Sequence, residues 1–386
     1  MAKLMLAYTP FHLMGLLNLA DDILSRNPSE SIDVVVVTAR PGMAEAAEGL
    51  KKLGAFRRVW TPRSAKPLRV KSLRRYWPRL SNFLLKFKFV WLSVLFTVGV
   101  RSAELQEAFL RVQCQGIDLE DYEELYTAVS DSEVVALVER QNPSVQIHLF
   151  EDGYVTWMGL INSPEKFSSH IIHLIEPEVL PEGLELKKVR RMPGFSEGRT
   201  KLRDWLRVTF QELLPESINE KPADHLVFDQ TMGSGVFRTS HRNDAHEKQL
   251  EARLTFLKSM KDQAEISGEV LEIRAHPYSS ERELVEVSER IGFPIKRANG
   301  LPYELELVLG LSTVPQKVSS ISSTAAFTWL LMLGMNDHEV NVHFYWDYYR
   351  DKVGTKMDAS AVFMDIVLRL NKKYPGVFHL HDDLPT

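Results

Sequence analysis

Three short motifs carry side chains that could perform a group-transfer reaction. They are Glu151-Asp152-Gly153, Arg274-Ala275-His276-Pro277 and Ser322-Ser323-Thr324. Each follows a short apolar run that predicts a buried strand, and open α/β sheets bind ligands beyond the carboxyl ends of their strands. In one such crevice the acids could supply a base, the histidine an acid and the hydroxyls a phosphate cradle. Together, the motifs favour group transfer from a phosphate-bearing donor.

The acidic pair follows a strand predicted at 145–150. At the strand end, Glu151 or Asp152 could accept a proton from an attacking hydroxyl, and paired acids raise each other's pKa toward neutral. Gly153 would let the backbone turn sharply beside a ligand. Because Asp-Gly is also common in ordinary polar turns, a purely structural turn stays open as the alternative. Asp229, after another predicted strand, is a reserve candidate for the base.

The histidine and hydroxyl motifs suit a phosphate. His276 titrates near neutrality and binds phosphate when protonated, and Arg274, two residues earlier, projects to the same side of its strand. The hydroxyls and backbone N–H groups of 322–324 precede a helix predicted at 325–333 and would form an anion site. A turn-capping histidine and a simple helix N-cap are the structural alternatives. The spacing of the twelve histidines predicts no metal site.

The composition places the chain among globular proteins. At 386 residues it exceeds what one core ordinarily supports, so two domains are expected. Hydrophobic residues make up 44% and charged residues 25% of the chain, which excludes disordered and fibrous classes. The single cysteine, Cys114, excludes an intramolecular disulfide, disfavours a thiolate metal site and predicts a reducing, cytosolic compartment.

The strand and helix patterns predict two Rossmann-like halves. Predicted strands are Lys3 to Tyr8, Ile32 to Thr38, Leu125 to Val129, Val145 to Phe150, Leu226 to Phe228, Val270 to Ala275 and Lys317 to Ile321. Their apolar, β-branched character is typical of parallel strands that are buried on both faces. We expect a first domain at 1–205, a connection near 190–222, a second domain at 222–345, and helices at 346–386 that could pack back on the first domain.

A basic segment lies within the first half. From Gly49 to Ala103 there are fourteen Lys and Arg residues and no acid, with aromatic residues interleaved. Such a segment suits an anionic membrane surface, at about 1 kcal/mol per basic residue, or a polyanionic substrate. A solvated loop and helix face is the alternative, and no nucleic-acid motif accompanies the charge. The residues expected to contact acceptor or membrane are Arg69, Lys71, Arg74, Arg75 and Arg79.

The motif set resembles the bacterial sialyltransferases, which include lipooligosaccharide sialyltransferases and capsular polysialyltransferases. That group shares an acidic motif ending in glycine, a His-Pro motif and a late Ser-Ser/Thr motif, which match 151–153, 276–277 and 322–324 in the same order. Tyr8-Thr9-Pro10 and Leu301-Pro302-Tyr303-Glu304-Leu305 also look like features of the family. The resemblance covers the two halves thinly.

The resemblance implies an α/β, GT-B-like fold, in which two Rossmann-like domains with parallel sheets face an interdomain cleft. It implies an inverting, metal-independent transfer of sialic acid from CMP-sialic acid to a cell-surface glycan, without a cofactor. By analogy, Glu151, with Asp152 beside it, is the base, and His276 stabilises or protonates the departing phosphate. In some relatives the base is an aspartate of the second domain, which would point to Asp229. The residues implied to bind the donor nucleotide are Arg274, Pro277, Glu304, Ser322, Ser323 and Thr324.

Two other functions stay open at this point. The same fold could transfer a different sugar from a UDP or GDP donor, because no residue specifies sialic acid. A noncatalytic membrane-docking or assembly protein could also have kept the fold. On the leading interpretation, the protein is peripheral on the cytoplasmic face of a bacterial inner membrane. Its expected partners are a nucleotide-sugar donor, a glycan or glycolipid acceptor such as lipooligosaccharide or capsular polysaccharide, and an anionic membrane surface.

Overall fold

Two parallel β-sheets flanked by helices make up the computed structural model. The described residues are 2–38, 40–62, 117–130, 132–181, 183–184, 186, 188–195, 198–215, 223–229, 244–276, 279–297, 301–334, 339–354 and 358–385. The predicted α/β architecture of two Rossmann-like domains with parallel sheets is confirmed.

The first sheet has seven strands in the order β3-β2-β1-β4-β5-β6-β7. The strands are β1 (Ala2–Ala7), β2 (Ile32–Val36), β3 (Arg58–Trp60), β4 (Tyr122–Thr127), β5 (Gln146–Phe150), β6 (Ile171–Leu174) and β7 (Lys188–Arg191). The central strand β1 pairs in parallel with a neighbour on each side, so that Leu4 lies opposite both Asp33 and Leu125. Both β1 and β2 are buried along their whole length, which explains their nearly continuous apolar sequences.

Five helices belong to the described part of the first domain. They are α1 (Pro10–Arg26), α2 (Met43–Lys52), α3 (Glu133–Gln141), α4 (Tyr154–Asn162) and α5 (Thr200–Phe210). α1 begins after Thr9, whose hydroxyl accepts a hydrogen bond from the N–H of His12 at 3.1 Å, and Pro10 suits the first helical position. Local sequence therefore starts this helix directly after the carboxyl end of β1.

The second sheet has six strands in the order β10-β9-β8-β11-β12-β13. The strands are β8 (His225–Phe228), β9 (Leu271–Arg274), β10 (Ile295–Lys296), β11 (Lys317–Ser320), β12 (Asn341–Phe344) and β13 (Phe378–Leu380). The helices are α6 (Asp244–Ser267), α7 (Glu281–Ile291), α8 (Tyr303–Val308), α9 (Ala325–Leu333), α10 (Trp346–Val353) and α11 (Asp358–Lys373). In each sheet the strand order reverses at the first strand, which opens a crevice at the carboxyl ends.

The C-terminal helix α11 joins the two domains. Its residues Phe363 and Ile366 belong to one apolar cluster with Trp157 of α4. Beside this cluster, Glu176 of the first domain accepts a hydrogen bond from the hydroxyl of Tyr374, directly after α11. The last helix therefore packs on the first domain, although its sequence follows the second.

The first part of the connection expected near 190–222 belongs to the first domain. Residues 188–191 form the edge strand of the first sheet, and α5 packs against α1 and α2. Basic residues in this region form salt bridges within the first domain, Arg191 with Glu176 and Arg199 with Asp21. The chain therefore leaves the first domain only after α5.

Candidate functional site

A cavity of about 250 Å³ lies between the two sheets, where the carboxyl ends of strands from both domains face each other. Its walls come from the residues after β5, β8 and β9 and from the N-terminal turns of α1, α8 and α9. The predicted site residues that line it are Asp152, Asp229, Arg274, His276, Glu304, Ser323 and Thr324. The fold therefore brings members of all three sequence motifs to one crevice.

Glu151 and Asp152 lie on opposite faces of the first sheet. The pairing of β5 continues to Glu151, whose N–H donates to the carbonyl of His173 at 3.0 Å, so successive side chains alternate between the faces. Glu151 is buried, and its Oε1 accepts a hydrogen bond from Nε1 of Trp157 at 2.9 Å while its Oε2 accepts one from the N–H of Ile175 at 2.8 Å. Asp152 lines the cavity. The cavity thus receives the second acid of the motif.

The carboxyl of Glu151 links neighbouring elements of the first domain. Burial raises its pKa to about 7, although the hydrogen bonds from Trp157 and Ile175 act in the opposite direction. Because both oxygens accept N–H donors, Glu151 ties α4 and the end of β6 to β5. Its predicted role as the base stays a prediction, and this geometry favours Asp152 instead.

Asp152 has a partner that the sequence motifs do not reveal. Nε2 of His12, in the first turn of α1, lies 2.9 Å from Oδ1 of Asp152. The side chain of His12 is 2% exposed and that of Asp152 is 31% exposed. The pair therefore has one end in the protein interior and the other at the cavity.

The hydroxyl motif also lines the cavity. Ser323 and Thr324 line it at the start of α9, whereas Ser322 is not among the described lining residues. Gly153, the N-cap of α4, has a φ of 57°, and a Cβ built on it would lie 3.0 Å from Oγ1 of Thr324. The N-termini of α4 and α9 thus meet at the cavity. The positive ends of both helix dipoles therefore lie at the cavity, where they favour a bound anion.

His276 and Asp229 follow neighbouring strands of the second sheet. Burial lowers the pKa of His276, the negative charge of Asp229 acts to raise it, and Arg253 acts to lower it. Arg253 donates to both oxygens of Asp229, from Nε to Oδ1 at 2.7 Å and from Nη2 to Oδ2 at 2.5 Å. A bidentate pair with a buried guanidinium engages one lone pair on each carboxylate oxygen and fixes the carboxylate in place. Asp229 therefore lines the cavity as an engaged anion rather than as a free proton acceptor.

Arg274 braces an aromatic wall of the cavity. Its guanidinium carbon lies 4.4 Å from the ring centroid of Tyr303, and its Nη2 donates to Oε2 of Glu306 at 2.7 Å. Glu272 accepts a second hydrogen bond from this guanidinium. The arginine charge is therefore largely compensated by protein carboxylates, and the side chain fixes Tyr303, which lines the cavity.

Glu304 supplies a buried carboxyl on the side of the second domain. It lines the cavity, and burial raises its pKa to about 7 while a backbone hydrogen bond and the charge of Arg274 act to lower it. A carboxyl that titrates near neutrality can gain charge when a ligand offers hydroxyl donors. Glu304 is thus suited to hold a polyhydroxyl group such as a ribose.

Some predicted residues lie outside the described residues. They are Pro277, Arg69, Lys71, Arg74, Arg75 and Arg79. Conversely, His12 and Arg253 belong to the site although no sequence motif marked them. His12 had a usable signal, since it stands in the first turn after the first strand of a Rossmann-like domain. Arg253 lies inside the long helix α6, where nothing in the local sequence distinguishes it.

No protein-family model and no curated protein matches the sequence. Solved structures do match the fold. A 2,6-sialyltransferase from Photobacterium sp. JT-ISH-224, in a ternary complex with CMP and lactose, is 13% identical with a TM-score of 0.51, and the match covers 100% of this chain and 79% of that one. This chain has the GT-B fold.

Two further structures match over nearly the whole length of this chain. A sialyltransferase from Photobacterium damsela is 12% identical with a TM-score of 0.47, over 99% of this chain and 82% of that one. The UDP-GlcNAc 2-epimerase of Neisseria meningitidis, bound to UDP-GlcNAc, is 11% identical with a TM-score of 0.46, over 100% and 96%. A shared fold does not by itself specify an activity, which depends on the residues of the site. Separately, none of the helices in the described ranges is both long enough and apolar enough to cross a membrane.

Proposed function

We propose that this protein is an inverting glycosyltransferase that transfers sialic acid from CMP-sialic acid to a glycan acceptor. The observation that carries the proposal is the shared cavity, which is lined by Asp152 of the first domain and by His276, Ser323 and Thr324 of the second. A single displacement needs a base on one side of the sugar and stabilisation of the leaving phosphate on the other. Candidates for both roles line the cavity, the base from the first domain and the phosphate donors from the second.

In the proposed reaction, the first domain supplies the base and the second domain stabilises the leaving group. Asp152 takes the proton of the acceptor hydroxyl as the acceptor oxygen bonds to the anomeric carbon of the sugar. The bond from that carbon to the phosphate oxygen breaks, and CMP leaves with the bonding electrons. His276 protonates or stabilises the departing phosphate, and the donors at the start of α9, with Ser323 and Thr324, hold its charge. Because one displacement occurs, the configuration at the anomeric carbon inverts.

The nucleotide half of the donor belongs to the second domain in this proposal. Glu304 accepts hydrogen bonds from the ribose hydroxyls. Tyr303, fixed by Arg274, offers an aromatic surface beside the nucleotide. Ser322 and Pro277 complete the predicted donor set. No metal ion or cofactor is assigned a role, because the leaving phosphate meets protein donors and a histidine.

Three carboxyl groups compete for the role of base. Asp152 lines the cavity, Glu151 is anchored between Trp157 and Ile175, and Asp229 is held by Arg253. A general base must reach the proton that it abstracts. We therefore assign the base to Asp152, with Glu151 as its anchoring neighbour.

We base the proposed acceptor and the proposed membrane location on the charge of one segment of the sequence. The acid-free segment 49–103 would hold the protein on an anionic membrane surface, at the cytoplasmic face of a bacterial inner membrane. There it would meet a glycolipid or growing glycan, such as a lipooligosaccharide or capsular polysaccharide. Charge reversal at Arg74, Arg75 and Arg79 should weaken binding to anionic vesicles, and binding that is indifferent to this change and to salt would contradict the location.

The direct test is release of CMP from CMP-sialic acid, with water as the acceptor, in EDTA and then with Mg²⁺. We expect metal-independent hydrolysis that falls by about 10²–10⁴ in H276A, the range for loss of a general acid. H379A, at a partly exposed histidine of β13, is the matched control. Hydrolysis of UDP- or GDP-sugars instead would change the donor. Failure to hydrolyse any of these donors would indicate a noncatalytic protein.

A further inference from the structure

His12 contacts Asp152, but the proposed reaction gives this histidine no role. Its imidazole is buried at the start of α1, yet its Nε2 lies 2.9 Å from Oδ1 of the cavity residue Asp152. A chance surface pair would be exposed at both ends, whereas this histidine is 2% exposed. Burying a polar ring is costly unless it gains a partner, and the Asp152 carboxylate lies within reach of this ring.

Both members of the pair are fixed by their own elements. The hydroxyl of Thr9 accepts from the N–H of His12 at 3.1 Å, which holds the first turn of α1. On the other side, the hydroxyl of Thr156 accepts from the N–H of Asp152 at 2.8 Å. Each backbone is therefore set before any substrate binds, and the two side chains are held within reach of each other.

Aromatic rings enclose the imidazole. The ring centroids of Tyr8 and Phe150 lie 6.2 Å and 6.3 Å from that of His12, both nearly perpendicular to it. Packing of this kind restricts rotation of the imidazole. In the described part of the chain, Asp152 is the charged group that His12 contacts.

The contact between His12 and Asp152 is close but not fully aligned. Although the two atoms are 2.9 Å apart, the direction of Nε2 toward Oδ1 does not meet the geometry of a complete hydrogen bond. Catalytic hydrogen bonds are often poorly aligned in the free enzyme and tighten when substrate binds. A small shift of the partly exposed Asp152 carboxyl would align the pair, since the histidine is enclosed.

We propose that His12 is the positioning residue of the base: it donates from Nε2 to Oδ1 of Asp152 and aims the other oxygen, Oδ2, at the acceptor hydroxyl. This inference rests on the proposed function, which makes Asp152 the base. In this arrangement His12 engages one oxygen of Asp152 and leaves the other for the acceptor proton. When the acceptor proton moves to Oδ2, it stays on Asp152 until the glycan product leaves. A nucleophile, a base and an orienting third group form a recurrent catalytic arrangement, here with the acceptor hydroxyl as the nucleophile.

The kinetic test is a double-mutant cycle with CMP-sialic acid as donor and either water or lactose as probe acceptor. H12L should lower kcat by about 10- to 100-fold, because a misplacement of about 1 Å can cost about 100-fold, and CMP affinity should stay within about twofold of wild type. H12Q, whose side-chain amide can still donate to Asp152, should recover most of that loss. In the D152N background, H12L should cause no further loss of kcat. Independent, multiplicative losses in the double variant, or H12Q as slow as H12L, would overturn the proposal.

A second measurement separates failure of this inference from failure of the proposed function. With ¹⁵N-labelled histidine, long-range ¹H–¹⁵N NMR spectra report the protonation of each imidazole nitrogen without any substrate. The His12 signal, assigned by its absence in H12Q, should show a protonated Nε2 and should shift in D152A. A His12 signal that does not respond to D152A overturns the pair itself. A responding signal in a protein that hydrolyses no sugar nucleotide would keep the contact and refute its catalytic role, together with the proposed function.

Discussion

Gly153 of the first domain and Thr324 of the second meet so closely that a Cβ on Gly153 would lie 3.0 Å from the Thr324 hydroxyl oxygen. Each residue is the N-cap of a helix, α4 or α9. The contact therefore brings two positive helix ends to one point of the cavity. A glycine is required there, because a φ of 57° is one that side-chain-bearing residues rarely adopt.

The first prediction concerns that glycine. G153A should weaken CMP binding by about tenfold or more, since the added methyl both strains the backbone and presses on Thr324 at the proposed phosphate site. Isothermal titration calorimetry measures the change. G354A is the matched control, because Gly354 has a φ of 69° and nothing lies within 4 Å of the place that its Cβ would take. Equal CMP affinity in G153A and G354A would contradict the placement of the phosphate.

The second prediction identifies the base among the three carboxyl groups. D152N should lower donor hydrolysis by about 10²–10⁴ and leave the thermal midpoint nearly unchanged, because Asp152 lies at the cavity surface. Steady-state CMP release and thermal unfolding of the same preparation provide the two measurements.

The other two carboxyl groups serve as comparisons for D152N. E151Q should destabilise the fold by about 1–3 kcal/mol, because its amide N–H group would face the N–H donor of Trp157 or Ile175. D229N should cost about 3–5 kcal/mol, since it leaves the charge of Arg253 buried without its partner. A D152N enzyme that hydrolyses donor at the wild-type rate, beside a stable but inactive E151Q, would return the base to Glu151.

The third prediction uses the pKa of Glu304. Burial raises that pKa to about 7, so the ionised fraction grows from roughly a tenth at pH 6 to roughly nine tenths at pH 8. Because an ionised carboxylate accepts stronger hydrogen bonds from ribose hydroxyls, cytidine should bind more tightly as the pH rises over this range. Cytidine is the probe because it lacks the phosphate group, which itself titrates near pH 6.

A matched variant decides whether Glu304 causes that dependence. E304Q keeps the shape of the side chain and removes its titration, so cytidine affinity should become nearly flat from pH 6 to pH 8. A slope that persists unchanged in E304Q would remove Glu304 from the ribose site.

The fourth prediction concerns the buried pair of His148 and His173, whose Nδ1 and Nε2 atoms lie 2.9 Å apart. Burial lowers the pKa of His148 to about 4 and that of His173 to about 3. Between pH 6.5 and about 4, the unfolded chain therefore binds protons that the folded protein does not. The free energy of unfolding should fall as the pH falls through this window, by about 1.4 kcal/mol per pH unit for each histidine.

Urea unfolding at pH 6 and pH 5 measures this slope. H173Q should reduce the slope by about 1.4 kcal/mol per pH unit, because one titrating group is lost. H379Q, at a partly exposed histidine, should change it little. An H173Q protein with the wild-type slope would show that the pair does not control acid stability.

Much of the fold was predictable because buried parallel strands have continuous apolar sequences. The runs before Phe150, Phe228 and Ala275 marked strand ends, and the GT-B topology then brings those ends to one cleft. The sequence could not fix where the first domain ends, because the basic residues near 190–203 look like a solvated linker. Only the folded chain shows Arg191 and Arg199 paired with acids of the same domain.

The details of the site depended on contacts between distant parts of the chain. Alternation along β5 predicts that Asp152 shares a face with Phe150 and that Glu151 lies on the other face. It does not predict which face meets the cavity. That choice depends on α1, which packs on the face of Phe150 and brings His12 to Asp152 from 140 positions earlier in the sequence. The partner of Asp229, Arg253, likewise lies on a different element.

The most direct test of the proposed function is calorimetric titration of the protein with CMP, UDP and GDP, first in EDTA and then with Mg²⁺. We predict that CMP binds without metal, at least about tenfold more tightly than UDP or GDP, and that H276A weakens this binding. A preference for UDP or GDP would contradict the assigned donor while keeping a transferase fold. No binding of any of the three nucleotides would contradict the central claim that the cleft is a nucleotide-sugar site.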